Sequence, residues 1–192
     1  MDRFEHLRLF LHRFAGLSET EINWISSHFK QLRLKKDEYY FKAGACCCYL
    51  SYLEHGALGV YCTCVSGDEG LLHFITKNHF FTDPDGFKPG GCACSTYRAL
   101  GPSALLSISM REAEAISLQV PAFAAVVRQI REQSLIDIID SQYFLRKGNK
   151  YHLYQCMFDN NRELLQTVPL KHIAAYLGVT PQSLSRIRKM RK

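Results

Sequence analysis

Residues 170–192 read LKHIAAYLGVTPQSLSRIRKMRK. Leu170, Ile173, Ala174 and Leu177 recur at the spacing of one helical face. Gly178 then supplies backbone freedom for a sharp turn. Thr180 suits an N-cap, and Pro181 suits the first helical position, where its missing N–H costs nothing. Leu184 and Ile187 give the second segment a buried side. Two short helices joined by a glycine-bearing turn make a helix-turn-helix, whose second helix enters the major groove of DNA. Its outer face must then carry donors for base edges and phosphates. The candidate contacts are Thr180, Pro181, Gln182, Ser183, Ser185, Arg186, Arg188 and Lys189. Gln pairs with adenine and Arg with guanine, while Ser, Lys and the helix N-terminus hold phosphate oxygens.

The charge distribution points the same way. The 192 residues carry a formal net charge of +6. Six of the 24 basic residues lie in 164–192, and none of the 18 acidic ones does, so residues 1–163 are neutral. A neutral body followed by an acid-free basic element implies a polyanionic partner, here double-stranded DNA. No apolar run approaches the roughly 18–20 residues of a membrane-spanning helix, so no membrane partner is expected. Residues 1–6, MDRFEH, do not form a secretory signal, which makes a cytoplasmic protein the expectation and thiols the expected state of its eight cysteines.

Upstream, Arg162–Thr167 and Tyr151–Phe158 read as helical pieces, and Lys147–Lys150 as a polar break. Pro121–Phe144 holds no glycine or internal proline and repeats Phe123, Val126, Val127 and Ile130 at helical spacing, a long helix. Arg111–Leu118 is a short one. Between Leu32 and about Ser109 short apolar runs alternate with turn residues. The strands expected are Gln31–Leu34, Tyr39–Lys42, Cys48–Glu54, Gly56–Cys64, Glu69–Thr76, Cys94–Ala99 and Ala104–Ser109. Such a pattern suits a sandwich, barrel or jelly roll. Thr82–Gly91 reads as a surface loop. At the start, Leu7, Phe10, Leu11 and Phe14 line a helix face, and Ser18 with Glu21 forms a capping box. The fold class is α+β.

The chain resembles the Crp/Fnr family of transcription regulators, in a short form. The stretches that carry the resemblance are LSETEINWISSHFKQLRLKKDEYYFKAG, YLSYLEHGALGVYCTCVSGDE, ALGPSALLSISMREAEAISLQVPAF and, most strongly, VPLKHIAAYLGVTPQSLSRIRK. The resemblance implies a cyclic nucleotide-binding-like β-roll of the double-stranded β-helix or jelly-roll type with N-terminal helices (1–120). It further implies a dimerisation helix (121–146) and a helix-turn-helix domain with little or no wing (147–192). It assigns base reading to Pro181 or Gln182 and to Arg186. It implies a homodimer, with Phe123, Val127, Ile130 and Ile138 as the dimer contacts. RNA polymerase and a small-molecule effector are further candidate partners. Members that bind cyclic AMP carry a Gly-Glu pair followed by Arg-Ala or Arg-Ser. Here HFFTDPDGFKPGGCACSTYRALGP has no Gly-Glu, and Arg98-Ala99 falls on the following strand. No cyclic nucleotide and no other cofactor is therefore expected.

The second reading is a ligand, redox or metal sensor whose DNA-binding region is secondary or non-functional. On a strand, residues i and i+2 share a face, so Cys62 with Cys64, Cys46 with Cys48 and Cys92 with Cys94 are candidate thiol pairs. Cysteine is also a common small core residue. With no C-x-x-C present, no metal site is expected. His55, His73 and His79 fall in the β region without an H-x-H pair, and His172 stands in the basic segment, facing phosphate or solvent. H-E-x-x-H, G-x-S-x-G and the P-loop are absent, so the chain does not read as an enzyme.

Overall fold

The computed structural model describes residues 4–14, 16–45, 49–63, 69–84, 92–160 and 162–190. Two helices, α1 (Glu5–Leu11) and α2 (Glu19–His28), come first. The α2 capping box forms as its sequence dictates: the Glu21 N–H donates to Ser18 Oγ, and the Ser18 N–H donates to the Glu21 carboxylate. Eight strands follow: β1 (Lys30–Leu34), β2 (Tyr39–Phe41), β3 (Tyr49–His55), β4 (Ala57–Thr63), β5 (Glu69–Thr76), β6 (His79–Phe81), β7 (Ser95–Ala99) and β8 (Ser103–Ser109). They form two antiparallel four-stranded sheets, β1-β8-β3-β6 and β2-β7-β4-β5. Seven of the strands lie where the sequence places them. The eighth, β6, is three residues long, too short to show a period, and exists because it pairs with Ser51–Leu53 of β3.

The sheets close on an interior of Leu53, Leu58, Val60, Ile75, Phe81, Tyr97, Ala99 and Leu105. Both outer faces are covered as well. On the first sheet, Leu50 and Tyr52 of β3 and Leu106 and Ile108 of β8 pack under Leu7, Leu11, Ile22, Ile25 and the helices that follow the roll. On the second sheet, Ala57, Tyr61 and Leu100 share a core with the C-terminal helices. Strands buried on both faces read as near-continuous apolar runs rather than alternating ones, which is the texture of β3, β4 and β8.

After the roll come α3 (Met110–Gln119), capped by Ser109 and Glu112, and α4 (Pro121–Arg146), 26 residues long. Then follow α5 (Lys150–Asn160), α6 (Arg162–Thr167), α7 (Leu170–Leu177) and α8 (Pro181–Lys189). Among the described residues no helix is long and apolar enough to cross a membrane.

The α4 surface corrects one expectation. Phe123, Val127 and Ile130 are 0%, 7% and 3% exposed and belong to the protomer's own core against α1, α2 and the first sheet. They are not available to a partner. Ile138 is half-buried beside a cavity. The apolar residues that α4 does expose lie further along: Leu135, Ile136, Ile139 and Tyr143, at 48%, 47%, 63% and 61%. Helical periodicity reports that a face is apolar. Which neighbour covers it depends on where the first half of α4 crosses the sheet, and that is a tertiary fact.

Candidate nucleic-acid interface and cavity

The α7–α8 pair is built by local chemistry. Gly178 closes α7 at φ 65°, in the left-handed region, and lets the Val179 N–H reach the Ala174 carbonyl at 3.0 Å. Thr180 Oγ1 then accepts from the Ser183 N–H at 3.1 Å, and Pro181 opens α8. Leu184 is fully buried and packs with Ile173, Ala174 and Leu177, which sets the two helices against each other. Gln182, Ser185, Arg186 and Lys189 stand at i, i+3, i+4 and i+7, on the side of α8 opposite Leu184 and Ile187. Of these, Ser185 is half-buried and the other three are exposed. Thr180, Pro181 and Ser183 are exposed at the entry of the helix, with Ser183 engaged in the cap. Arg188 is exposed too, but it follows Leu184 by one helical turn, off the outward row, and lines a cleft with Arg162. Residues 191 and 192 lie outside the described residues.

The motif docks on the second sheet. The Tyr176 ring lies 5.0 Å from that of Phe74 on β5, and its hydroxyl bonds Ser141 Oγ of α4 at 2.6 Å. His172 faces neither phosphate nor solvent. It is 7% exposed, with Nδ1 at 3.3 Å from the Tyr61 hydroxyl. Burial, then the nearby Lys171 and Arg98 charges, hold its imidazole below the usual range. Tyr61, Phe74 and Tyr176 thus join roll to helix-turn-helix, a role with no sequence signal beyond apolarity.

Arg98 does lie on β7. Its neighbours Tyr97 and Ala99 point into the roll, so its guanidinium leaves by the outer face, 4.4 Å over the Tyr61 ring and 3.9 Å from Glu69.

A cavity of about 320 Å³ lies between β5, β6 and α4. His73, His79, Tyr97, Asp137, Asp140 and Ser141 line it, and among the described residues no lysine or arginine does. His79 Nε2 is 2.6 Å from Asp137 Oδ2, and Gln133 donates to Oδ1 at 2.9 Å. Burial alone would raise the Asp137 carboxyl, but these bonds hold it below its ordinary value. Asp137 interrupts the apolar run Leu135–Ile139 and Asp140 follows it, and nothing in their spacing marks them as part of a site.

His73 carries a pH prediction. Burial, reinforced by His79 and opposed by Asp137, pushes it down to about 4 from 6.5. The unfolded chain therefore takes up this proton first, and stability is lost as pH falls below 6.5. Between pH 7 and pH 5 the loss from this group is about 2 kcal/mol. Urea unfolding at the two pH values measures it, and His73→Gln should flatten the difference.

The thiol pairs are not seen as strand pairs. Cys46, Cys48 and Cys64 lie outside the described residues. Cys62 is on β4, while Cys92 and Cys94 precede β7 in irregular backbone, where the i, i+2 rule does not apply. Among the described residues no group of three His, Cys, Asp or Glu is placed to hold a metal ion.

The cyclic nucleotide-binding domain family matches residues 31–119, the roll and α3. No curated protein is similar in sequence. Among solved structures, FixK2 from Bradyrhizobium japonicum superposes with a TM-score of 0.69 at 17% identity, over 84% of this chain and 83% of that one. The c-di-GMP responsive regulator CLP of Xanthomonas campestris gives 0.66 at 14% identity, over 90% and 91%. A CooA mutant from Carboxydothermus hydrogenoformans gives 0.60 at 15%, over 93% and 81%. The β-roll, the long helix and the terminal helices together have the fold of these three structures.

Proposed function

We propose that the protein is a homodimeric, cytoplasmic transcription regulator that reads a pseudo-palindromic DNA operator with α8 and acts by binding rather than catalysis. The observation that carries this reading is the row Gln182, Ser185, Arg186 and Lys189 on the outward side of a helix whose segment contains no acid. Gln182 and Arg186 read bases, Ser185 and Lys189 hold phosphates, and Arg188 adds positive charge from the flank. Dimerisation uses the exposed half of α4. Ile136, Ile139 and Tyr143 follow the i, i+3, i+7 spacing of a coiled-coil seam, with Leu135 beside them. Two α8 helices then address half-sites about 34 Å apart. RNA polymerase is a partner of the DNA-bound dimer.

The cavity between β5, β6 and α4 is the effector site in this reading, because a ligand there touches both the roll and the dimer helix. A cyclic nucleotide is not the effector we propose. Its phosphate would meet Asp137 and Asp140 with no lysine or arginine lining the wall among the described residues, and Arg98 points the other way.

The test is a fluorescence-anisotropy titration of a labelled pseudo-palindromic duplex across salt concentrations, where affinity should fall steeply with salt. Arg186→Ala should cost about 1–3 kcal/mol and relax discrimination at one base position. Uniform weakening on all duplexes would make Arg186 a phosphate contact only. Salt-insensitive or absent binding to every duplex from the protein's own promoter region would end the regulator reading.

A further inference from the structure

A second concave site lies on the helix-turn-helix half of the chain, away from the cavity on α4. It is a cleft of about 350 Å³ among α5, α6, α7 and α8. Its floor is apolar and aromatic: Tyr154 and Ile173 are 5% and 1% exposed, and Phe158 stands beside them. Its rim carries Arg162, Gln166 and Arg188. Among the described residues, no carboxylate lines it. Arg162 already lies over an aromatic face, 4.8 Å from the Phe158 ring centroid.

We infer that this cleft binds a small carboxylate with a flat apolar body. Two guanidiniums from different helices facing one apolar floor, with no carboxylate among the described lining residues, are complementary to an anion. The planar fork of a guanidinium matches the two oxygens of a carboxylate. The floor of Tyr154, Phe158 and Ile173 takes a ring, as the walls of small-molecule sites do, and the volume lies at the lower end of their range. A DNA phosphate uses the charge but leaves that floor idle. The outward row of α8 also points away from the cleft, since it is opposite Leu184, whereas Arg188 follows Leu184 by one turn. The inference does not depend on the DNA reading, and its test needs no DNA.

The test is isothermal titration calorimetry of the full chain with 2-naphthoate. One site per protomer with a Kd below about 1 mM is expected. Three comparisons define the site. Arg162→Ala, an exposed position outside the DNA-reading row, should raise the Kd at least about tenfold while the thermal melt stays that of the parent. The neutral isostere 2-naphthamide and inorganic phosphate should each bind at least about tenfold more weakly than naphthoate. Arg162→Lys should recover part of the loss, because it restores charge without the fork. The inference fails if naphthoate does not bind, if Arg162→Ala binds it as the parent does, or if the amide matches the acid. It also fails if phosphate binds as tightly as naphthoate, which would mark the cleft as a DNA-backbone contact.

Discussion

Ile139→Glu is expected to leave the protomer folded, convert the proposed dimer to a monomer and lower operator affinity by about 10²–10⁴-fold. The magnitude comes from linkage of two reading heads. In a dimer the second half-site is met at high effective concentration, and a monomer loses that advantage without losing any contact of its own. Ile139 is 63% exposed, so a carboxylate there meets water in the monomer and an apolar, like-charged seam in the dimer. Sedimentation and anisotropy measured on the same preparation read both consequences. The control is Phe123→Ala on the same helix. Phe123 is fully buried in the protomer core, and its truncation should cost about 3–5 kcal/mol of stability while any surviving folded protein still dimerises. A dimeric Ile139→Glu with normal operator affinity would show that α4 pairs by another face or not at all.

The second large effect is on the fold itself. Gly56→Ala should destabilise the protein by about 2–5 kcal/mol, the sum of a left-handed backbone forced on an L residue and of overpacking. Gly56 is the one residue between β3, in the first sheet, and β4, in the second, and it has φ +90°. A Cβ there would stand 2.3 Å from Ser103 Oγ, 2.6 Å from the Pro102 carbonyl oxygen and 2.8 Å from Ser103 Cα. Ser103 Oγ could rotate away, but the other two atoms are backbone at the start of β8, the strand that pairs with both β1 and β3. Relief therefore means shifting the sheet. For a chain of this size the melting temperature should fall by about 10 °C. Gly101→Ala, whose Cβ would meet nothing within 4 Å, should leave it nearly unchanged. Equal melting temperatures for the two variants would contradict the packing described at Gly56.

Local signals were reliable wherever a residue's own chemistry decides its conformation. Ser18 and Glu21 announce the start of α2, Gly178 and the Thr180-Pro181 cap announce the α7–α8 turn, and Glu69–Thr76 reads as the strand it is. The basic, acid-free character of α8 was legible too, but the sequence reading put all of Thr180, Pro181, Gln182, Ser183, Ser185, Arg186, Arg188 and Lys189 on its outer face, without setting Arg188 apart from the row. What stayed hidden depends on contacts between distant residues. The strand β6 exists only through β3. The pairing of Tyr61 with His172 spans 111 residues. The cleft of Arg162 and Arg188 needs four helices in place before two exposed arginines face one floor.

The amino-acid sequence by itself determined that this chain is a neutral β-rich body followed by a long helix and a basic helix-turn-helix, because charge, caps and periodicity are properties of neighbours along the chain. Only the tertiary structure decided what each apolar face meets. It put Phe123, Val127 and Ile130 inside the protomer and left Ile136, Ile139 and Tyr143 outside. It turned Arg98 away from the interior of the roll and buried His172 against Tyr61. The physical reason is one: hydrophobic burial is non-directional, so a sequence can state that a side chain must leave water but not which surface will take it in.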